Sequence, residues 1–234
     1  MRILITAHSG CNNTKENSFE HIYSAIESNV DIIEIDIDIS NDNILVLSHD
    51  PFIFEKSGHF EKTSNISSEI LKSNGIITLE SVLKKINMTI PLNLDLKSIE
   101  VIEPTIKLLK RLNYTNNIIF SGCNSDWVTK IRSLSDEYGV FLNSQEFENL
   151  AKENYKNFIR TFIKTAIKTG AIGLNLNYRL CSKELVYQAH LNGLFVQAWT
   201  VDKEQDMKNL IKMNVDGITT HNPLLLKKVD DFCE

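Results

Sequence analysis

Three acidic side chains alternate with isoleucines in the stretch from residue 31 to residue 50. Glu34, Asp36 and Asp38 fall on one face of a strand with period two, and the isoleucines fall on the other face. Like charges spaced two residues apart repel one another unless the outermost is in water or a cation lies among them. The pattern therefore predicts either a divalent-cation site or a solvated edge ribbon, and both remain open from this stretch alone.

The residues after this strand predict a hairpin that carries an imidazole to the same face. Asn and Asp at positions 41–43 signal a turn, and the apolar run 44–47 is a return strand that leads to His49. A two-residue loop sets His49 opposite Glu34, and a slip of one position sets it opposite Asp36, whereas a three-residue loop would turn it away. Oxygen ligands beside one histidine, with no cysteine nearby, favour a hard divalent cation.

Two further groups of polar residues stand on predicted strands. Asn93, Asp95 and Lys97 share one face of a strand with period two, and His8 comes at the C-terminal end of the first apolar strand. A carboxylate and an ammonium two residues apart can be a surface ion pair. At the end of an inner barrel strand they would form part of a site.

The elements that must position these side chains alternate between strand and helix. Apolar strands centred near residues 4, 34, 94, 119, 141, 174, 197 and 218 are nearly all followed by amphipathic helical patterns. This alternation predicts an α/β fold, a closed (β/α)8 TIM barrel, with 44–48 as a hairpin return. An open doubly wound sheet is the alternative, but no GxGxxG motif follows the first strand. We expect one domain over 1–234, with the polar segment 51–74 as a small insertion.

Composition narrows the class of protein. The chain has 234 residues, is 42% hydrophobic and carries a formal net charge of −5, so we expect a soluble domain with no nucleic-acid partner. An apolar strand begins almost at once and no apolar run approaches the length of a membrane span, so we expect a cytoplasmic protein without a transmembrane segment. Four scattered cysteines without a CxxC pair predict free thiols.

In a barrel of this kind the C-terminal ends of the strands meet at one rim. The residues expected at that rim are His8, Glu34, Asp36, His49, Asp95, Lys97, Ser121, Asn175 or Asn177, Trp199, Thr220 and His221. Three of the carboxylates (Glu34, Asp36 and Asp95) would hold one divalent cation, and Lys97 would add a positive charge for a phosphate monoanion. Two histidines can serve as base toward the attacking hydroxyl and acid toward the leaving alkoxide. Phosphodiester cleavage is therefore the expected reaction.

The order of short motifs resembles that of the glycerophosphodiester phosphodiesterase family over nearly the whole chain. The family carries His-Arg-Gly, Pro-Glu-Asn-Thr, Glu-x-Asp, His-Asp, Glu-x-Lys, Trp-Thr-Val and Asp-Gly-Ile-x-Thr-Asp-x-Pro. In the same order this chain has His8-Ser9-Gly10, Lys15-Glu16-Asn17-Ser18, Glu34-Ile35-Asp36, His49-Asp50, Asp95-Leu96-Lys97, Trp199-Thr200-Val201 and the segment 216–223. Any one motif is a weak signal, but the ordered set at matching spacing is a strong one.

The resemblance implies a barrel hydrolase that releases an alcohol and glycerol 3-phosphate from a small-molecule phosphodiester. It implies His8 and His49 as the acid/base pair. It also implies one Mg²⁺ or Ca²⁺ at Glu34, Asp36 and Asp95. The insertion corresponds to one that is usual in the family.

Residues around these positions have expected supporting roles. Lys97, Trp199 and Ser9 are candidates for substrate binding, although Trp199 is as readily a core residue. Glu16 could orient His8 from behind, and Asn17 could either support the site or only cap a helix.

The chain departs from the family pattern at several motif positions, among them Ser9, Asp95 and His221. Ser9 replaces an arginine that contacts the phosphate in the family, and a hydroxyl cannot give that bidentate charged contact. Asp95 replaces the usual glutamate, as in the similar spider-venom type sphingomyelinase D enzymes. His221 stands where an aspartate is usual, and we expect it to be structural.

We therefore predict metal-dependent hydrolysis of glycerophosphodiesters. One alternative is a lysophospholipase D or sphingomyelinase D-like activity on lipids. The other is a catalytically weak barrel that binds a phosphorylated ligand. The alcohol group, the metal, a cyclic phosphate product and the oligomeric state stay open at this point.

Overall fold

The structure is a computed structural model that describes residues 2–54, 60–87, 89–114 and 116–231. Its strands are β1 Leu4–Ala7, β2 Ile32–Ile39, β3 Leu45–Leu47, β4 Phe52–Phe54, β5 Phe60–Lys62, β6 Leu92–Leu96, β7 Ile118–Ser121, β8 Gly139–Asn143, β9 Gly173–Asn177, β10 Phe195–Trp199 and β11 Gly217–Thr220. Its α-helices are α1 Phe19–Glu27, α2 Ser68–Ser73, α3 Leu79–Ile86, α4 Ile102–Arg111, α5 Ser125–Leu134, α6 Glu148–Glu153, α7 Tyr155–Thr169, α8 Lys183–Leu191, α9 Glu204–Lys212 and α10 Pro223–Asp231. Short 3₁₀ helices lie at Cys11–Asn13, Thr63–Asn65, Ile99–Val101, Gln145–Phe147 and Tyr178–Leu180.

Eight parallel strands close into a barrel. They follow the order β1-β11-β10-β9-β8-β7-β6-β2, and β2 pairs with β1 to complete the ring. The return strand β3 pairs antiparallel with β2 outside the ring. The (β/α)8 TIM barrel and the hairpin return are thus confirmed, and the open doubly wound sheet is excluded.

The core lies mainly between the strands and the surrounding helices. The apolar residues of β2 face this layer, and helix α3 buries Leu79, Val82, Leu83 and Ile86 against it. Burying a leucine or isoleucine side chain of this kind contributes about 1.5–3 kcal/mol. The polar residues of the strands are therefore left to line the barrel interior and its mouth.

Helix α1 begins one residue later than a cap at Asn17 would require. The side chain of Ser18 accepts a hydrogen bond from the backbone N–H of His21 at 3.2 Å, so Ser18 is the N-cap. Asn17 has a left-handed backbone with φ of 52°, and its side chain turns toward β2. The capping role predicted for Asn17 is wrong, because Ser18 fills it.

The segment 51–74 contains regular structure. Strands β4 and β5 form a two-stranded sheet, and helix α2 follows; residues 55–59 lie outside the described part. Asp42, in the turn of the β2–β3 hairpin, accepts hydrogen bonds from the backbone N–H and hydroxyl of Ser68 at 2.8 and 2.7 Å. These bonds fix the start of α2 to the hairpin.

Two predictions from composition concern thiols and membrane spans. Cys11, Cys123 and Cys181 are free thiols, as predicted, and Cys233 lies outside the described residues. Across the described ranges, the helices are too short or too polar to traverse a lipid bilayer.

Candidate active site

Three carboxylates from two neighbouring strands meet inside the mouth of the barrel. Glu34 and Asp36 come from β2 and are 4% and 1% exposed, and Asp95 comes from β6. Parallel pairing sets Asp36 opposite Asp95, and each of the three residues offers an oxygen within 4.8 Å of the others. The cation-site interpretation of the acidic strand is therefore favoured over the solvated ribbon.

The third acidic residue of β2 is directed elsewhere. Asp38 is buried and accepts a hydrogen bond from the backbone N–H of Ile39 at 2.8 Å. It also forms a hydrogen bond with the side chain of Thr63 in the segment 51–74. Burial raises the pKa of its carboxyl. Asp38 thus helps to attach the segment 51–74 to β2 and stands apart from the acidic cluster.

Each carboxylate of the cluster is held by a hydrogen bond from a neighbouring loop or strand. The backbone N–H of Ser9 donates to Glu34 Oε2 at 2.9 Å, and the amide of Asn17 donates to Asp36 Oδ2 at 2.7 Å. The hydroxyl of Ser121 donates to Asp95 Oδ1 at 2.8 Å. These bonds fix the orientation of the oxygens that face the pocket.

Lys97 lies between two of the carboxylates. Its ammonium is 2.6 Å from Asp36 Oδ1 and 2.6 Å from Asp95 Oδ2. Burial opposes its charge, but the carboxylates of Asp95 and Asp36 outweigh burial and raise the pKa of Lys97. The lysine is therefore charged, and it neutralises part of the cluster.

The negative charge of the cluster that Lys97 does not offset makes the cluster suitable for a hard cation. Burial, together with the nearby charges of Asp36 and Asp95, raises the pKa of Glu34 well above its ordinary value. Burial acts in the same direction on Asp36, but the charge of Lys97 outweighs it and lowers the pKa of Asp36. Three carboxylates face one ammonium, and their oxygens are the ligands that Mg²⁺ and Ca²⁺ prefer.

His8 stands at the end of β1 beside this cluster. Its Nδ1 lies 3.1 Å from the carbonyl oxygen of Ser9, which can only accept, so Nδ1–H is the donor and Nε2 is left as an acceptor. Burial lowers the pKa of His8. The ring is therefore a neutral imidazole at neutral pH, which is the form that a general base requires.

His49 reaches the pocket by a different route from the one predicted. The register pairs Ile37 with Leu47 and Ile39 with Leu45, so the loop holds three residues and both predicted registers are wrong. Strand β3 ends at Leu47, and the chain then turns, so that His49 lines the pocket although strand alternation would have pointed it away. Its Nδ1 lies 2.9 Å from Asp50 Oδ1.

The pocket at the mouth has a volume of about 310 Å³ and a wall of amides. Asn143, Gln145 and Asn175 line it from β8, the following 3₁₀ helix and β9, beside Trp199 from β10. Within the described residues, the buried Asn175 Oδ1 and Trp199 Nε1 have no hydrogen-bond partner. An acceptor and a donor left unpaired in this way are available to a hydroxylated ligand. A larger groove of about 830 Å³ on the outer wall is lined mainly by basic, amide and isoleucine side chains of α7 and α8.

The structure brings most of the predicted residues into one pocket. The residues that line it as predicted are His8, Glu34, Asp36, His49, Asp95, Lys97, Ser121, Asn175 and Trp199. Ser9 lies beneath the pocket, 2% exposed, where its hydroxyl accepts from the backbone N–H of Asn17 at 2.8 Å. Glu16 is exposed, and among the described residues the hydrogen bond of His8 goes to Ser9 instead of to Glu16.

Several lining residues were not singled out from the sequence. They are Asn143, Gln145, Thr200 and Thr219, together with Asn93, which the sequence pattern places on its strand but not in the pocket. Asn143 and Gln145 follow the general rule that strand ends face the site, which was the only signal that could have identified them. Of the remaining rim candidates, Asn177 is half-buried, and Thr220 and His221 lie behind His8.

Comparison with known proteins agrees with this arrangement. The sequence profile of the glycerophosphoryl diester phosphodiesterase family matches residues 8–225. A glycerophosphodiester phosphodiesterase of Caldanaerobacter subterraneus subsp. tengcongensis is 27% identical, with 95% of this chain and 96% of the relative aligned. The lysophospholipase D GDPD3 of Mus musculus is 20% identical, with 96% of this chain and 81% of the relative aligned.

A solved structure shares the fold. A phosphodiesterase of Oleispira antarctica, in complex with the product sn-glycerol-3-phosphate, superposes on this chain with a TM-score of 0.78 at 19% sequence identity. The aligned region covers 98% of this chain and 97% of the Oleispira chain. Since the family profile spans nearly all of the chain and the motif residues converge at the mouth of the barrel, the chain belongs to the glycerophosphoryl diester phosphodiesterase family.

Proposed function

We propose that this enzyme hydrolyses glycerophosphodiesters to an alcohol and glycerol 3-phosphate in a reaction that depends on a divalent cation. The observation that carries the proposal is the cluster of Glu34, Asp36 and Asp95, whose oxygens lie within 4.8 Å of one another in a pocket also lined by His8 and His49. Family membership supports the reaction class.

The three carboxylates are the proposed ligands of one Mg²⁺ or Ca²⁺. When bound, the cation supplies positive charge that offsets their repulsion and polarises a phosphate oxygen. Lys97 keeps a second positive charge beside the same carboxylates. The pocket thereby favours the charge that develops on the phosphate in the transition state.

His8 is the proposed general base. Its Nδ1–H is held by the carbonyl oxygen of Ser9, so its Nε2 is available to accept the proton of the attacking hydroxyl. That hydroxyl belongs either to water or to the 2-position of the substrate's glycerol, in which case a cyclic phosphate forms first.

His49 is the proposed general acid. Its ring is exposed at the mouth, and its Nδ1 lies 2.9 Å from Asp50 Oδ1. From this position it would deliver a proton to the leaving alkoxide.

Glycerophosphocholine is the substrate that tests this proposal. We expect the purified enzyme to release choline and glycerol 3-phosphate, to stop when a chelator is added and to recover when Mg²⁺ or Ca²⁺ is restored. We expect His8→Ala and His49→Ala to lose at least about 100-fold in kcat with the fold intact by circular dichroism, because acid/base groups contribute about 10²–10⁴-fold. Full turnover in the presence of chelator would overturn the metal site, and full turnover in both variants would overturn the acid/base pair.

A lipid-directed activity is the second candidate, and two exposed aromatic side chains favour it. Phe52 and Phe60, on the hairpin that follows His49, are 55% and 72% exposed. Exposed aromatic side chains on the segment that follows a pocket residue suit an acyl chain, and one relative is named a lysophospholipase D. Faster choline release from lysophosphatidylcholine than from glycerophosphocholine would favour this candidate.

The presence of Ser9 in place of an arginine makes a catalytically weak, ligand-binding barrel a third candidate. Its hydroxyl is engaged with Asn17 beneath the pocket, and it offers no guanidinium to a phosphate. Binding of glycerol 3-phosphate without turnover of any diester would identify a catalytically weak barrel instead of a hydrolase.

A further inference from the structure

The ring of His221 packs directly against the ring of His8. His221 follows β11, and the two ring centroids are 4.4 Å apart with their planes at 62°, an edge-to-face contact. The backbone N–H of His8 donates to the carbonyl of Thr220 at 2.9 Å, which ties the end of β1 to the end of β11. His221 is therefore the aromatic neighbour that limits rotation of the His8 ring.

Asp202 holds His221 in this place. The Nδ1–H of His221 donates to Asp202 Oδ2 at 2.9 Å. The other carboxylate oxygen accepts from the backbone N–H of His221 at 2.8 Å and from the hydroxyl of Thr220 at 3.1 Å. Burial raises the pKa of Asp202, but the hydrogen bonds of His221 outweigh it, so its pKa is lowered and the carboxylate is ionised at neutral pH.

His8 has few other restraints on its side chain. Among the described residues, the one hydrogen bond of its ring runs from Nδ1 to the carbonyl oxygen of Ser9, at 3.1 Å, in the same loop. A single bond at one end of an imidazole leaves the ring free to tilt. The edge-to-face contact with His221 adds a second restraint on the orientation of this ring.

We infer that His221 is a positioning residue for His8. Asp202 anchors the imidazole of His221, and that ring keeps His8 in the orientation that presents Nε2 to the pocket. This inference rests on the proposed acid/base role of His8, and it replaces the structural role expected for His221 from the sequence.

The expected consequence is a loss of turnover without a loss of substrate affinity. His221→Ala removes the ring that restrains His8 and leaves the lining of the pocket unchanged. We expect kcat to fall roughly tenfold, because supporting contacts that orient a reacting group typically contribute at that level, and KM to stay the same. His221→Phe restores the aromatic contact without the anchor, so it should recover part of the lost turnover.

The anchor is tested by a second pair of variants. We expect Asp202→Ala to lower kcat in the wild-type background and to have no further effect in the His221→Ala background, because both residues act through one ring. In the ¹⁵N spectrum of the wild type, Nδ1 of His8 should appear as the protonated ring nitrogen and Nε2 as the unprotonated one, and we expect this tautomer pattern to become mixed in His221→Ala. A purely structural role for His221 would leave the tautomer pattern as it is in the wild type.

The chain offers a matched control. His190 also makes a contact between a ring nitrogen and a carboxylate, with Nε2 2.9 Å from Asp216 Oδ2, but it lies on α8 and does not line the pocket. We expect His190→Ala to keep the wild-type kcat.

The positioning role of His221 and the acid/base role of His8 can be separated by these variants. If His221→Ala and His221→Phe both keep the wild-type kcat and the wild-type tautomer pattern of His8, while His8→Ala is inactive, the positioning role is wrong and the proposed function stands. If His8→Ala itself keeps full activity, the acid/base role of His8 fails and the positioning role fails with it.

Discussion

Asn17 lies behind the acidic cluster and fixes the way in which Asp36 faces the pocket. Its amide donates to Asp36 Oδ2 at 2.7 Å, and its carbonyl oxygen accepts from the backbone N–H of Asp36 at 3.0 Å. Both bonds depend on a left-handed backbone, which asparagine adopts more readily than most residues. The sequence identified Asn17 as a candidate but could not separate a cap from a support, because that difference is set by the backbone conformation of one residue.

We expect Asn17→Ala to weaken cation binding by about 10- to 100-fold, because contacts that orient a ligating carboxylate contribute at that level. Isothermal titration of the purified protein with Ca²⁺ or Mg²⁺ measures the effect. Asn13→Ala is the matched control, since Asn13 is also left-handed, with φ of 61°, but exposed. Equal affinity in the two variants would contradict the supporting role of Asn17.

At the scale of the element, strand β2 was predictable and its hairpin was not. Side chains alternate between the two faces of a strand, so Glu34 and Asp36 lie on the same face whichever strands pair with β2. The register of the return strand depends instead on Asn43, whose left-handed φ of 61° gives the three-residue loop. His49 was placed in the site for the wrong reason, because the strand ends before alternation could carry its side chain away.

Helix α1 docks on β2 through a buried histidine, and this contact makes stability depend on pH. His21 Nε2 donates to the carbonyl of Glu34 at 3.1 Å, and burial lowers the pKa of His21 from 6.5 to about 4. Between these values the unfolded chain binds a proton that the folded chain does not. The stabilisation is therefore complete above the unfolded pKa and is lost as the pH falls toward the folded one.

We expect the free energy of unfolding to fall by on the order of 3 kcal/mol through this window, since one pKa unit corresponds to about 1.4 kcal/mol. Urea unfolding at several pH values measures it. His21→Gln keeps a donor for the carbonyl of Glu34 but does not titrate, so its stability should depend less on pH. Identical pH dependence in the two proteins would show that another group is responsible.

At the scale of the whole molecule, closure of the barrel brings the motifs together. The strand count and the common rim followed from the sequence because strand and helix alternate along the chain. The amide-lined wall of the pocket, which includes Asn143 and Gln145, was not predicted from the sequence. Amide side chains near strand ends are common, and these two belong to no recognised motif. Sequence reasoning therefore located the charged half of the pocket better than its amide half.

A cation that binds only the folded barrel should stabilise the whole molecule. At a cation concentration of 100 times the Kd, linkage adds about 2.7 kcal/mol, so we expect Tm to rise by several degrees with Ca²⁺ or Mg²⁺. Differential scanning calorimetry with and without chelator measures the shift. Glu34→Gln is the matched control because it keeps the side-chain shape, and an equal shift in this variant would place the binding elsewhere.

Lys97 stands between Asp36 and Asp95 at hydrogen-bonding distance from both. The cluster thus contains its own counter-ion, which shields Asp36 and Asp95 from each other in the absence of a metal. Removal of the proposed cation by a chelator should therefore stop turnover without unfolding the protein, and activity should return when Mg²⁺ or Ca²⁺ is added again.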